Sequence, residues 1–365
     1  MTRILSPTLV LDKSKCINNI KRMTEKVSQN NLRFRPHFKT HQSAEIGSWF
    51  REAGVDAITV SSVKMAEYFK ENGWDDITIA IPLNILEMDR INRLASEISL
   101  NILVENPVSV EFLTRAVKYP LGVYIEIDTG SFRSGIADNN IPAIDEILNI
   151  LSINKNLNFK GFLSHNGKTY QAGTPHEVEI LTRDALSKLK TIKDHYLKQY
   201  PLIEISIGDT PSSSICRNFG VADELRPGNF VLFDLMQQKL GSCTIDDIAV
   251  KLVCPVVGIY PVRNEVIIHG GAVHLSKDFL LNVGGEMVFG QIELNIRNEN
   301  IVLNGNNYVS SLSQEHGILK VEPTNLTLFK IGQLINIIPV HSCLTADAMG
   351  KFLTTRGEVI SMMPK

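Results

Sequence analysis

The stretch Leu32–Ser43, "LRFRPHFKTHQS", begins as a β-rich run and ends on two histidines that bracket a single lysine, Lys39. Alone it allows three readings: a metal site, a basic patch for phosphate, or a lysine that does covalent chemistry. Its place in the chain narrows them. "LRFRPHF" is the first of eight β-rich runs, followed by "DAITV", "DITIAI", "LNILV", "GVYIEID", "FKGFLSH", "IEISIG" and "NFVLFD". Amphipathic helical runs separate most of them. "SSVKMAEYFKENG" opens on serine and stops on glycine, the expected cap chemistry, and "HEVEILTRDALSKLKTIKDHYLKQY" is a longer helical pattern. Eight strands alternating with helices predict a parallel (β/α)8 barrel over residues 9–244. An open doubly wound sheet is the alternative.

After about Leu240 the rhythm changes. "IAVKLVCPVVGIYPV", "NEVIIHGGAV", "IELNIRNENIVLNGN", "YVSSLSQEHGILKV" and "LINIIPVHSC" are strand-like, with turn signals such as Asn304-Gly305. Residues 245–365 are therefore expected to form a mostly-β domain, joined by the N-terminal strand 1–8.

Composition excludes several classes. The 365 residues are 44% hydrophobic and 21% charged, ordinary for a globular chain, with net charge -2. That balance gives no reason to expect a nucleic acid or a membrane as partner. Five scattered cysteines without a CxxC read as reduced thiols in a cytoplasmic protein. The first residues hold no sustained apolar stretch, so no signal peptide is expected, and the apolar run near Val250 is interrupted by Lys251, Pro255 and Pro261.

In such a barrel the chemistry sits at the C-terminal ends of the strands. Lys39 and His41 follow the first strand, "DTGSFRSG" (Asp128–Gly135) the fifth, "SHNGKTY" (Ser164–Tyr170) the sixth and "GDTPSSS" (Gly208–Ser214) the seventh, while "RPGNF" (Arg226–Phe230) lies around the eighth. Five polar or glycine-rich segments thus fall on one rim. The last two have the character of phosphate loops, in which small residues let backbone N–H groups approach an anion. Most lysines are solvated; one at a barrel mouth is partly desolvated, which favours the neutral amine. A phosphate cradle beside such a lysine suggests pyridoxal phosphate. A second constellation, "PVHSCLTADAM" (Pro339–Met349), places His341 and Cys343 two apart, on one side of an extended segment, with the donor types that suit Zn2+. A buried cysteine beside a hydrogen-bonded histidine is the plainer reading of that pair taken alone.

With these motifs placed, nearly the whole chain resembles the fold-type III pyridoxal phosphate enzymes, an alanine racemase-like barrel plus β domain. It looks most like their D-serine dehydratase and D-threonine aldolase branch. "RPHFKTH" is similar to the cofactor-lysine motif, which implies Lys39 as the Schiff-base residue. "DTGSFRSG" implies Arg133 near the cofactor's phenolic oxygen. "SHNGKTY" implies His165 against the ring and Tyr170 near the pyridine nitrogen. "GDTPS" and "RPGN" imply phosphate contacts from Thr210 and from the backbone of Gly228 and Asn229. The His341-Ser342-Cys343 pattern resembles the zinc-binding HxC of the dehydratases and not the HxD of the aldolases. "HGGAVHLSKD" departs from the branch: His269 stands in place of an aspartate and His274 is extra.

The resemblance implies a cytoplasmic, pyridoxal 5'-phosphate- and zinc-dependent lyase. It would dehydrate D-serine or a related β-hydroxy D-amino acid to a keto acid and ammonia, as a homodimer. The alternatives are D-threonine aldolase-type cleavage, an amino-acid racemase with His316 as candidate second base, or a non-catalytic cofactor-binding protein.

Overall fold

The computed structural model describes residues 4–297 and 299–365. Eight parallel strands ring the first unit: Arg33–Phe34, Ile58–Val60, Asp76–Pro82, Ser99–Val104, Leu121–Asp128, Leu157–Ser164, Glu204–Ile207 and Glu224–Leu225. The last pairs with the first, Glu224 opposite Arg33. Between the first and second, an isolated bridge joins His37 to Thr59, whose N–H and O–H donate to the Pro36 and Arg35 carbonyls, each at 2.9 Å. The sheet is therefore a nearly closed barrel, and the open doubly wound alternative falls.

Local chemistry explains the elements. Strand Leu121–Asp128 is buried along all but its last residue, as a parallel strand covered on both faces must be. Helix Val63–Glu71 is capped by Ser62, which accepts the Met65 N–H, and buries Val63, Met65, Ala66 and Phe69. Helix Pro175–Tyr196 begins with a Thr174 cap and proline in its first turn.

Three expectations need correction. "NFVLFD" is not the eighth strand: Asn229–Val231 is a 3-10 turn, and the eighth strand is the two-residue Glu224–Leu225 before it. Phe230, Val231 and Leu232 are buried all the same, and a short buried apolar run has no period that separates strand from turn. The first strand covers only Arg33–Phe34 of "LRFRPHF", and Lys39 lies beyond it in the 3-10 turn Phe38–Thr40. His341 and Cys343 do not share an extended segment either: the strand ends at Pro339, and His341 caps the helix Ser342–Met349.

The barrel interior carries charge. Arg35, 1% exposed, sits between Glu224 at 2.6 Å and Asp76 at 2.5 Å. Ser206 joins the layer, donating to Glu224 at 2.6 Å and accepting from Arg226 at 2.7 Å. Deleting one member of such a layer leaves an unpaired buried charge, at about 3–5 kcal/mol.

The second unit is a closed antiparallel barrel. Strands Val250–Tyr260, Glu265–His269, His316–Lys320, Tyr308–Leu312, Gly290–Ile296 and Leu334–Pro339 pair in that order and return to the first. Strand Thr8–Leu11 lies in the same sheet, with Thr8 opposite Val253 and Val10 opposite Leu353. Residues 1–3 of the expected N-terminal strand lie outside the described residues. Among the described residues, no helix is long and apolar enough to cross a membrane.

Candidate active site

A cavity of about 690 Å³ opens at the C-terminal ends of the barrel strands and is lined from both units. Lys39, Arg133, His165, Tyr170, Gly228, Asn229, His341 and Cys343 all face it. Thr210 lies directly behind, its N–H donating to the Tyr170 hydroxyl at 3.3 Å. His269, His274 and His316 do not line it, and His316 is exposed.

Lys39 is deep in the mouth but open to the water of the cavity. Burial holds its ammonium below the usual range; Arg133 and Arg226 push the same way, against a pull from Cys343. The flanking histidines differ. His37 faces the cavity, and its Nδ1 accepts the Lys39 N–H at 3.4 Å. His41 turns away into the core, where its ring stands edge-on to Phe38 at 4.5 Å and its Nδ1 accepts the Ser43 N–H at 3.1 Å. Burial lowers both histidines, His41 to about 3.

His165 is placed by the sixth strand. Its Nδ1 lies 2.5 Å from the Gly208 carbonyl, which can only accept, so Nδ1 carries the proton and Nε2 keeps its lone pair. Burial lowers it to about 3. Arg133 ends a tight turn in which Asp128 accepts the N–H groups of Gly130, Ser131 and Phe132. Glu126 lies 3.7 Å from the guanidinium; its Oε2 is buried with no hydrogen-bond partner among the described residues, and burial raises its carboxyl.

The glycine-rich side has the character of an anion cradle. Thr210 Oγ1 is buried and has no hydrogen-bond partner among the described residues, and the residue as a whole is 1% exposed. A Cβ on Gly228 would meet the His37 carbonyl at 2.9 Å and Thr40 Oγ1 at 3.0 Å, so no larger residue fits there without a shift. An unsatisfied hydroxyl beside a glycine-only backbone is what a phosphate group would use. With Lys39 opposite, these residues fit pyridoxal phosphate.

On the β-domain side, Cys343 sits in the first turn of its helix and hydrogen-bonds His341. Burial alone would lower His341, but Cys343, Asp234 and Asp278 outweigh it and raise it to about 10. The same imidazole holds the Cys343 thiol below its usual value. Asp278 Oδ2 lies 2.6 Å from His341 Nδ1, which leaves Nε2 for a ligand; a carboxylate behind a metal-binding histidine is the usual arrangement. The pair therefore fits a thiophilic cation.

Sequence reasoning missed Asp234 and Asp278. Asp234 is fully buried and accepts from the Ser342 N–H at 2.9 Å and from Asn229 Nδ2 at 2.6 Å, tying barrel to HxC turn. Asn229 Nδ2 also reaches Cys343 Sγ at 3.4 Å. Neither aspartate belongs to a spaced motif, so no local signal marks them.

Comparison with known proteins agrees with this fold. The family model described as alanine racemase, N-terminal domain matches residues 11–235, and the putative serine dehydratase domain matches 249–355. A D-serine dehydratase of Dictyostelium discoideum is 32% identical, covering 93% of this chain and 90% of its own. The chain belongs to the alanine racemase-like family, on its D-serine dehydratase branch. A second member of this branch, D-threo-3-hydroxyaspartate dehydratase of Delftia sp., is 28% identical over 93% of this chain and 91% of its own. The solved structure of the enzyme of that name from Delftia sp. HT23 superposes with a TM-score of 0.87 at 25% identity, covering 98% of this chain and 97% of the other.

Proposed function

We propose that this family member is a pyridoxal phosphate-dependent lyase that dehydrates D-serine or a related β-hydroxy D-amino acid, giving a keto acid and ammonia. The observation that carries this is that Lys39 and the His341–Cys343 pair line one cavity, with Cys343 Sγ 3.4 Å from Thr40 Oγ1 beside the lysine. Lys39 would hold the cofactor through Nζ, with Thr210 and the backbone of Gly228 and Asn229 at its phosphate. Arg133, His165 and Tyr170 would border its ring. When bound, the cofactor draws electrons away from the substrate's Cα–H bond. Released from its attachment, the Lys39 amine takes the α-proton, a role that its lowered pKa suits. His165 keeps Nε2 unprotonated at neutral pH, so it adds no positive charge beside the ring.

His341 Nε2 and Cys343 Sγ would hold Zn2+. A zinc ion there would supply Lewis acidity to the β-hydroxyl, making it a workable leaving group. Asp278 and Asp234 fix the two donors in place, and Thr40 Oγ1 contacts Cys343 Sγ at 3.4 Å. The same reading takes the protein as a cytoplasmic homodimer acting on a small D-amino acid.

The test is incubation of the purified protein with D-serine, D-threonine and 3-hydroxy-D-aspartate, with and without chelator. Keto acid that disappears with chelator is the expected result. Glycine and an aldehyde would replace dehydration by retro-aldol cleavage, and keto acid insensitive to chelator would remove the metal role. Gel filtration with light scattering checks the dimer.

A further inference from the structure

A second group of nitrogen and oxygen donors lies in the β domain, on residues that do not line the cavity. His269 ends the strand Glu265–His269, His274 lies on the short helix Ala272–Leu275, and Glu315 lies in the turn before the strand His316–Lys320. We propose that His269, His274 and Glu315 form a binding site for a divalent transition-metal ion, separate from His341 and Cys343.

The geometry is close to what such an ion needs. One ligand atom from each residue lies within 4.8 Å of the other two. Nε2 of His269 is 3.6 Å, and Nε2 of His274 3.8 Å, from Glu315 Oε2. Donors on a tetrahedral zinc ion, each ~2.0–2.2 Å from it, sit roughly 3.3–3.6 Å apart. The contraction required at Glu315 is small, and the two imidazole planes stand at 88° to one another, so the rings can converge without stacking.

The backbone under the cluster is already fixed. Gly270 N–H donates to the Glu315 carbonyl at 2.9 Å, and Ala272 N–H to the Ser313 carbonyl at 2.8 Å. A Cβ on Gly271 would meet the Gln314 carbonyl at 2.3 Å and the Ser313 carbonyl at 2.5 Å, so helix and turn approach this closely only with glycine there. Two imidazoles and one carboxylate select Zn2+, Co2+, Ni2+ or Cu2+ over Mg2+ or Ca2+, which prefer all-oxygen shells. Burial holds His274 below its ordinary value, in the neutral form a ligand must have. One contact opposes loading. Gly271 N–H donates to His274 Nδ1 at 3.2 Å, and a metal on Nε2 moves the ring proton to Nδ1, so this long bond is given up. The segment continues from His274 to Asp278, which braces His341, so an ion here would stiffen the support of the other pair.

The test is a cobalt(II) titration of the full-length protein, stripped of metal, with His274→Ala and Glu315→Ala beside it. Wild type is expected to bind one equivalent more than either variant, marked by visible ligand-field bands without thiolate charge transfer. Equal stoichiometry in all three overturns the proposal. Glu315 is exposed, so its variant carries the test if His274→Ala does not fold. The thiolate charge-transfer band reports His341 and Cys343 independently: if it is missing while the extra equivalent remains, the reading of that pair fails and this one stands.

Discussion

The histidines of the barrel rim and the histidine before the β-domain helix are all withdrawn from bulk water, yet their protonation is shifted in opposite directions. His37, His41 and His165 accept from or donate to single backbone groups and, among the described residues, have no carboxylate against them, so burial keeps them neutral. His341 meets a thiol and two carboxylates, and these outweigh the same burial. Partner, not depth, decides the protonation state. The cavity thus has one wall where burial favours neutral imidazoles beside Lys39 and another where His341 lowers the Cys343 thiol.

The largest break in this contrast is Lys39→Ala. It should abolish the visible absorbance of lysine-bound cofactor and lower keto acid formation by roughly 10³-fold or more; unchanged absorbance would move the attachment elsewhere. On the opposite wall, Cys343→Ala should empty the metal site and reduce turnover by about 10²–10³-fold, read by elemental analysis beside the rate. Asp278→Asn keeps the shape of the brace but removes its charge. Metal affinity measured against a competing chelator should fall by about 10–100-fold, with cofactor absorbance unchanged.

Gly228→Ala pushes a methyl toward the His37 carbonyl and should weaken cofactor binding by about tenfold, in line with ~1–3 kcal/mol for overpacking. Titration of the cofactor-free protein measures this. The last contrast concerns pH. His41 and His165 titrate near 3 in the folded chain and near 6.5 when unfolded, so between those values the unfolded chain binds protons that the folded one does not. Stability should therefore be complete above pH 6.5 and fall on acidification, by about 1.4 kcal/mol per pH unit per histidine. Urea midpoints between pH 7 and 5 should show this, with a shallower slope in His41→Leu.

Much of the site was legible because its residues are uncommon where they stand. A lysine between histidines and a histidine two before a cysteine stand out in any reading, and both line the cavity. What stayed hidden was tertiary. Asp278 meets His341 across 63 positions, and Asp234 meets Ser342 across 108. A lone aspartate carries no spacing that reveals such a partner. In the fold, the barrel was legible from the alternation of elements. Its eighth strand was not, because Glu224–Leu225 is two residues long and the longer apolar run beside it drew the assignment.

The pairing of Thr8–Leu11 has a consequence for how the chain is made. This strand is made before the barrel, yet its neighbours are Val250–Val253 and Leu353–Thr354. It stays unpaired while the whole barrel is synthesised, and its second edge is covered only once Leu353–Thr354 has been made. Such long-range pairing is slow to form. A chain cut short before Leu353 would leave Thr8–Leu11 with a bare edge, so damage late in the chain would show itself on a strand made long before.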